Sequence, residues 1–360
     1  MHVKSLISYL TLAVFFCLVA CSGNHSMNKR NGNGKFTYVV SKNGNGDFTS
    51  VQQAIDSIPS YSNQREYILI KDGTYKERLK VPSDKDKVTL VGQNKKKVIL
   101  TYDAAANKVN PKTGKKYGTD KSASTFVNGS GFAAVNITFQ NSAGYYDGRK
   151  GKTNHGQTLA INITGDKSVF ENCRFLSGQD TFYAGEVRSY VKNSYIQGTT
   201  DFIFGPAKVV FKNCNIHSYG GTAVTAANTK SYVDYGLVFW NCTVSGESGV
   251  QTTLGRPWRG YAAVAFLKSK LGKAIKPKGW TNWHQTDRYK TARYVEYDNS
   301  GPGYTPSKRV SWDHILTDSS KANKYKTLNV MKTTYSKNPK VDNWNPKMVL
   351  KKINKHIGPQ

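Results

Sequence analysis

The stretch "SGQDTFYAGEVRSYVKNSYIQGTTDFIFG", residues 177–205, sets two aspartates, Asp180 and Asp201, 21 residues apart, each followed closely by aromatic residues and a glycine. A similar step recurs around it. "VNITF" (135–139), "ENCRF" (171–175), "KNSYI" (192–196), "KNCNI" (212–216) and "WNCTV" (240–244) align on Asn136, Asn172, Asn193, Asn213 and Asn241, spaced 36, 21, 20 and 28 residues apart. A residue that returns at the same place in each repeat marks a solenoid whose coils are stretched by loop insertions. Short runs such as "YILI", "KVTLVG" and "KVVFKNCNI", separated by Gly, Asn and Asp, read as strands and turns. About 21 residues hold three short strands and three turns, so the predicted fold is all-β, a parallel β-helix. An antiparallel sandwich also has many short strands, but it does not require the same dipeptide at the same place in every turn. Positions one coil apart then stack at the strand spacing of about 4.8 Å. This makes neighbours of Asp180 and Asp201, and of Gln157 and Gln179. Two carboxylates that close tend to keep one proton between them.

Across 360 residues, 52 Lys+Arg stand against 23 Asp+Glu, a net charge of +29. That much material suits one large domain. The positive field points to a polyanionic partner: nucleic acid, an anionic membrane or an acidic polysaccharide. Lys4 precedes an apolar run, Leu6 to Ala20, long enough for an export signal and short for a membrane span. Residues 1–20 are therefore expected to be a signal peptide. The sequence Leu18-Val19-Ala20-Cys21 resembles a bacterial lipobox, in which Cys21 carries the lipid anchor; a plain secretory signal is the alternative. Removal of residues 1–20 takes away one cation, Lys4, and leaves +28. Residues 21–36, rich in Asn, Gly and Ser, read as a flexible tether. Export argues against a nucleic-acid role.

Past the tether, Thr49 is the expected cap of a short helix with apolar Val51, Ala54, Ile55 and Ile58, closed by Pro59. Cys173 and Cys214 occupy equivalent coil positions, but Ser194 fills the coil between. Two rungs, about 9–10 Å, exceed disulfide reach, so Cys173 reads as a buried free thiol. Cys214 and Cys242 are adjacent on this reading and able to bond. The histidines form no metal-ligand cluster; His155 and His217 read as turn or surface residues.

Further stretches occur in a fixed order: "GNGDFTSVQQAI" (44–55), "DGTYKE" (72–77), "GQTLAI" (156–161), "SGQDTFY" (177–183), "DFIFG" (201–205), "LGRPW" (254–258) and "YVEYDNSGPG" (294–303). Together they resemble the pectin methylesterase family over about residues 37 to 312. The specific pairing is "DFIFG" followed some 50 residues later by "LGRPW". The resemblance implies a right-handed parallel β-helix over 37–315 with an N-terminal capping helix. It implies a carboxylic ester hydrolase that removes C6 methyl esters from pectin. Carried over by position, the nucleophile falls on Asp201, the general acid/base on Asp180, the oxyanion donors on Gln157 and Gln179, and the arginine that holds the nucleophile on Arg256. The sugar-binding wall falls on Tyr183, Phe204 and Trp258, while Phe202 reads as core. No metal or cofactor is implied, and a monomer is expected.

The chain departs from the family pattern at Phe182, where leucine is common, at Thr200, where valine often stands, and in a Lys/Gly-rich stretch from Tyr145 to His155. Other readings compete with the esterase. A pectate lyase needs calcium-binding carboxylates, and a polygalacturonase a different acid cluster. An esterase for some other ester would share the fold. A non-catalytic pectin-binding β-helix would not need Asp180, Asp201, both glutamines and Arg256 together. Residues 316–360, rich in lysine, are expected to pack as loops or short helices on the last coils.

Overall fold

The computed structural model describes residues 34–145 and 156–358. The export segment, Cys21, most of the tether and the stretch 146–155 with His155 lie outside the described residues. Among those described, the strands form three parallel sheets of 11, 7 and 8 strands. One coil shows how they are visited. Arg188–Lys192 lies in the 11-stranded sheet, Tyr195–Gly198 in the 8-stranded sheet and Ile203–Gly205 in the 7-stranded sheet, after which Lys208–Lys212 returns to the first. The fold is a right-handed parallel β-helix.

The asparagine ladder marks one corner. Asn136, Asn172, Asn193, Asn213 and Asn241 follow strands of the 11-stranded sheet and have φ of 58°, 55°, 51°, 53° and 54°. The corner needs a left-handed residue, which asparagine tolerates better than most side chains. Two further coils turn the same corner on Lys268 and Asp298, φ 50° and 47°, which the asparagine alignment could not reveal.

Inside, strand spacing forces like side chains into columns. Phe211, Phe239 and Phe266 stack with centroids 4.6 and 4.2 Å apart and rings nearly parallel. Phe182 and Phe202 are fully buried. Phe182 lies edge-on to Phe175 at 5.1 Å and to Phe211 at 5.5 Å, so the larger ring at this position fills the interior column. Helix Val51–Asp56 buries Val51, Ala54 and Ile55 at the N-terminal end of the solenoid. Its cap is Ser50, one residue beyond the expected Thr49. Ser50 is extended, and its hydroxyl accepts from the Gln53 N–H. Glu77, from the "DGTYKE" stretch, accepts from Ser50 Oγ at 2.7 Å and from the Val51 and Gln52 N–H groups at 3.1 and 2.9 Å.

Cys173, Cys214 and Cys242 are buried free thiols. The adjacency expected of Cys214 and Cys242 is present, since the Thr243 N–H donates to Cys214 O at 2.9 Å, but they form no disulfide: the Cys214 thiol donates to Val191 O at 3.5 Å and the Cys242 thiol to Phe211 O at 3.4 Å. His217 is in strand Asn215–Ser218, not in a turn, with Nδ1 2.8 Å from Ser245 Oγ and Nε2 3.1 Å from Glu247.

The C-terminal segment differs from expectation more. It begins on the last coil but does not stay there. Helices Thr327–Met331 and Pro346–Ile357 run back along the 11-stranded sheet, burying Val330, Met331, Leu350, Ile353 and Ile357 against Val135, Val169, Tyr190 and Val210. His356 stacks on Tyr67 near the first coil, centroids 3.9 Å apart. The outward residues of that sheet are apolar and need a cover.

Candidate active site

The site lies on the 7-stranded sheet, whose pleat sends alternate residues in and out. Strand register aligns one outward row: Lys80, Phe126, Asn162, Tyr183, Phe204, Ala226 and Arg256. The aspartates precede this sheet by two residues. In a parallel ladder an N–H bonds to the carbonyl before its partner. The Asp180 N–H donates to Thr200 O at 3.2 Å, which sets Asp180 opposite Asp201. Likewise the Thr158 N–H donates to Gln179 O at 3.0 Å, setting Gln157 opposite Gln179. The 22-residue glutamine step becomes the 21-residue step of Ile161 and Phe182 through a bulge: the Ala160 and Ile161 N–H groups both donate to Thr181 O. Asp180 and Asp201 are both left-handed, φ 64° and 55°, so both carboxyls leave the coil in the same sense.

Arg256 arrives from the strand Thr253–Pro257. Its Nε donates to Asp201 Oδ1 at 2.9 Å and its Nη2 to Oδ2 at 2.6 Å, a bidentate grip. The Asp201 and Asp180 residues are only 5% and 7% exposed. Burial raises the Asp201 carboxyl above its ordinary value, and the hydrogen bonds and charge of Arg256 work against that rise. Burial, reinforced by the neighbouring Asp201, pushes Asp180 well above the ordinary range despite a hydrogen bond from Gln179. Two carboxyls of one site thus differ: one has the guanidinium, and the other faces its partner's charge. The Gln157 and Gln179 residues are partly exposed beside the pair. Among the described residues, no group of three His, Cys, Asp or Glu side chains forms a metal site.

Tyr183, Phe204 and Trp258 form the aromatic row, with centroids 4.9 Å apart for the first two and 5.9 Å for the second two. Phe204 is 5% exposed and packs between the other rings, so Tyr183 and Trp258 present most of the surface. Trp283 was not anticipated; the Arg256 guanidinium lies 4.1 Å from its ring centroid. Its signal was the doublet of tryptophans in "GWTNWH" (279–284), Trp280 and Trp283. Tyr294 was also missed. Its buried hydroxyl has no hydrogen-bond partner among the described residues, and burial and the Asp201 charge hold its proton on.

The pectinesterase family model matches residues 37–334, including the whole of this site. The chain belongs to the pectinesterase family. The match runs 22 residues past residue 312, where the motif resemblance ends, and into the tail. Pectinesterase 31 of Arabidopsis thaliana is 36% identical over 285 residues, 78% of this chain and 87% of that relative. Against Pectinesterase 5 of the same plant, 33% identical, the chain spans about half, 49%, of the relative's length. Among solved structures, the pectin methylesterase from carrot superposes with a TM-score of 0.75 at 31% identity, covering 82% of this chain and 93% of the other. That from Erwinia chrysanthemi gives 0.71 at 25% identity, covering 86% and 98%. A pectin methylesterase solved with a hexasaccharide superposes at 0.72, again at 25% identity and with 86% and 98% covered.

Proposed function

We propose that this pectinesterase removes methyl esters from pectin through an acyl-enzyme on Asp201. It is a carboxylic ester hydrolase acting on pectin. The observation that carries the mechanism is the bidentate grip of Arg256 on Asp201 beside Asp180, whose carboxyl is held well above its ordinary range. A gripped carboxylate is an oriented nucleophile, and a buried neighbour that keeps its proton is an acid. Asp201 Oδ attacks the ester carbonyl carbon, and the side-chain amides of Gln157 and Gln179 donate to the tetrahedral oxyanion. The carbon–OCH₃ bond breaks as Asp180 gives its proton to the departing oxygen, which releases methanol. Asp180 then takes a proton from water, the hydroxide attacks the galacturonyl carbonyl, and Asp201 leaves as a carboxylate. The polymer gains one free acid per turnover. Tyr183 and Trp258 offer faces to the sugar rings, with Phe204 holding the two apart.

The chain is exported on this reading and anchored through a lipid on Cys21, and it acts as a monomer. No helix among the described residues is long and apolar enough to cross a membrane. Radiolabelled palmitate is expected in the wild type and not in Cys21→Ser; an unlabelled, freely secreted wild type leaves an ordinary signal peptide. The enzymatic test is methanol release from highly esterified pectin without chain cleavage. Chain cleavage with no methanol would replace the esterase by a lyase or hydrolase.

A further inference from the structure

The tail that covers the 11-stranded sheet has an outer side for which ester cleavage has no use. Residues 314–358 hold ten lysines and no arginine or glutamate, with Asp318 and Asp342 as the acids. The ion pairs that reach this segment, from Arg188 and Lys167, both end on Asp342, so among the described residues none of the ten lysines is paired with a carboxylate. Helix Pro346–Ile357 buries Leu350, Ile353 and Ile357 toward the sheet. Lys347, Lys351 and Lys355, spaced four residues apart, are exposed on its other side together with Met348 and Lys352. Burial, and after it the charge of Lys347, lowers the Lys212 pKa, so the positive face continues onto the barrel. Large apolar side chains stand among these lysines: Leu328 and Met348 are each 46% exposed and Val341 64%. Ammoniums attract phosphate headgroups while exposed apolar groups gain by leaving water at the headgroup boundary, and a polysaccharide chain answers the charge alone. The described chain also starts here. Phe36 packs in the same apolar cluster as the tail, and His356 Nε2 donates to Lys35 O at 2.6 Å. Cys21 lies 13 residues before Gly34, a span of at most about 45 Å.

We propose that the outer side of the tail docks on an anionic phospholipid surface, with its lysine ammoniums on headgroup phosphates and Leu328, Val341 and Met348 in the headgroup boundary. The 11-stranded sheet then faces the membrane, and the 7-stranded sheet with its active site is turned away from it, toward the polymer. The inference rests on the reading of a chain anchored through Cys21 for the membrane it meets, although the contact itself needs no lipid on Cys21. A tether alone sets distance; the tail sets orientation.

The test is sedimentation of the unlipidated mature chain, residues 21–360 with Cys21→Ser, with vesicles of phosphatidylcholine alone or mixed with phosphatidylglycerol. This chain is expected to bind the mixed vesicles and not the neutral ones, and to lose affinity as salt rises. Each lysine near an anionic surface contributes about fivefold, so adding K347Q/K351Q/K355Q should cost about a hundredfold. Adding L328S/M348S should cost about tenfold on vesicles and leave the affinity for polygalacturonate, the polysaccharide control, as it was. Both variants should release methanol from dissolved pectin at the parent rate and melt at the parent temperature, which separates docking from folding and catalysis. A parent chain that ignores phosphatidylglycerol, or a lysine triple variant that binds as the parent does, overturns the surface. Unchanged vesicle affinity in L328S/M348S overturns it too and leaves a face for polyanions in general. Absence of palmitate from the wild type overturns the Cys21 anchor instead, because the vesicle assay contains no lipidated protein.

Discussion

Two arginine–aspartate sites sit on opposite faces of this solenoid and do different things. On the 11-stranded sheet, Arg188 has a side chain with no exposed surface. Its Nη2 meets Asp166 Oδ2 at 2.6 Å, its Nη1 meets Asp342 Oδ1 at 2.6 Å, and Met331 O takes a further bond. Lys167 adds a second cation to Asp342 at 2.9 Å. Hydrogen bonds from Arg188 hold the Asp342 carboxyl well below its ordinary range, against a smaller opposing effect of burial. On the 7-stranded sheet, Arg256 grips Asp201 with Asp180 alongside, and both carboxyls move upward. The first site has enough cation for its acids and fastens the tail to the barrel. The second buries two acids against one guanidinium, and in the proposed mechanism the uncompensated proton affinity is what the chemistry uses. An ion pair alone therefore does not announce function; the balance of charge inside it does.

The comparison breaks most visibly at Asp201. Asp201→Ala should lower methanol release from pectin by at least about a thousandfold, as loss of a nucleophile does in acyl transfer. A variant that kept a tenth of wild-type kcat would sink the assignment. Asp180→Asn retains the shape but has no proton to give, and about a hundredfold to ten-thousandfold loss in kcat is expected. Arg188→Ala should act on the other axis. It leaves Asp166 and Asp342 unmatched, and breaking a buried pair in this way costs about 3–5 kcal/mol. Denaturant titration measures that loss, and kcat per folded molecule should stay as it was. A stable variant would mean that the tail is held by its apolar face alone.

The two faces should also answer to pH with opposite sign. Asp180 has a folded value above its ordinary 3.8, so its contribution is full below that pH and is lost as pH rises through the folded value. Asp342 has a folded value below 3.8, so its contribution is full above that pH and is lost as pH falls through the folded value. Thermal melts at about pH 7 and about pH 3 should show Asp180→Asn more stable than wild type only at the higher pH, bracketing the ordinary carboxylate value. For Asp342→Asn the deficit at the higher pH should narrow at the lower. Parallel shifts in both variants would contradict the contrast. The smallest effect concerns Cys173, whose thiol burial pushes up to about 12. At about pH 8 it should resist alkylation until the protein unfolds, because the thiolate is the reactive form; rapid labelling of the native protein would show the coil opening.

Much of the solenoid was legible because its determinants repeat. A left-handed corner recurs each coil, so asparagine recurs, and the spacing of Asn172 and Asn193 predicts the stacking of Asp180 on Asp201. Corners that use another residue, as at Lys268 and Asp298, were silent in the same alignment. The glutamine pair was legible for the same reason as the aspartates, although the bulge at Ala160 and Ile161 that reconciles its step was not. The cap moved from Thr49 to Ser50 because the partner that fixes it, Glu77, comes from another coil.

By itself the sequence determined what depends on the coil period: the parallel β-helix, the neighbouring carboxyls and the neighbouring glutamines. Arg256 joined that site on paper only through the order of motifs resembling a known family. Tertiary structure alone decided what depends on how unequal loops and the tail fold back. It placed Trp283 under Arg256, brought Arg288 to Arg259 at Trp258 O, and carried Asp342 across 154 residues to Arg188. The physical reason is that hydrogen-bond ladders act between adjacent coils and leave a periodic trace in the chain. Contacts made by insertions and by a returning tail join positions at arbitrary separations, which no period records.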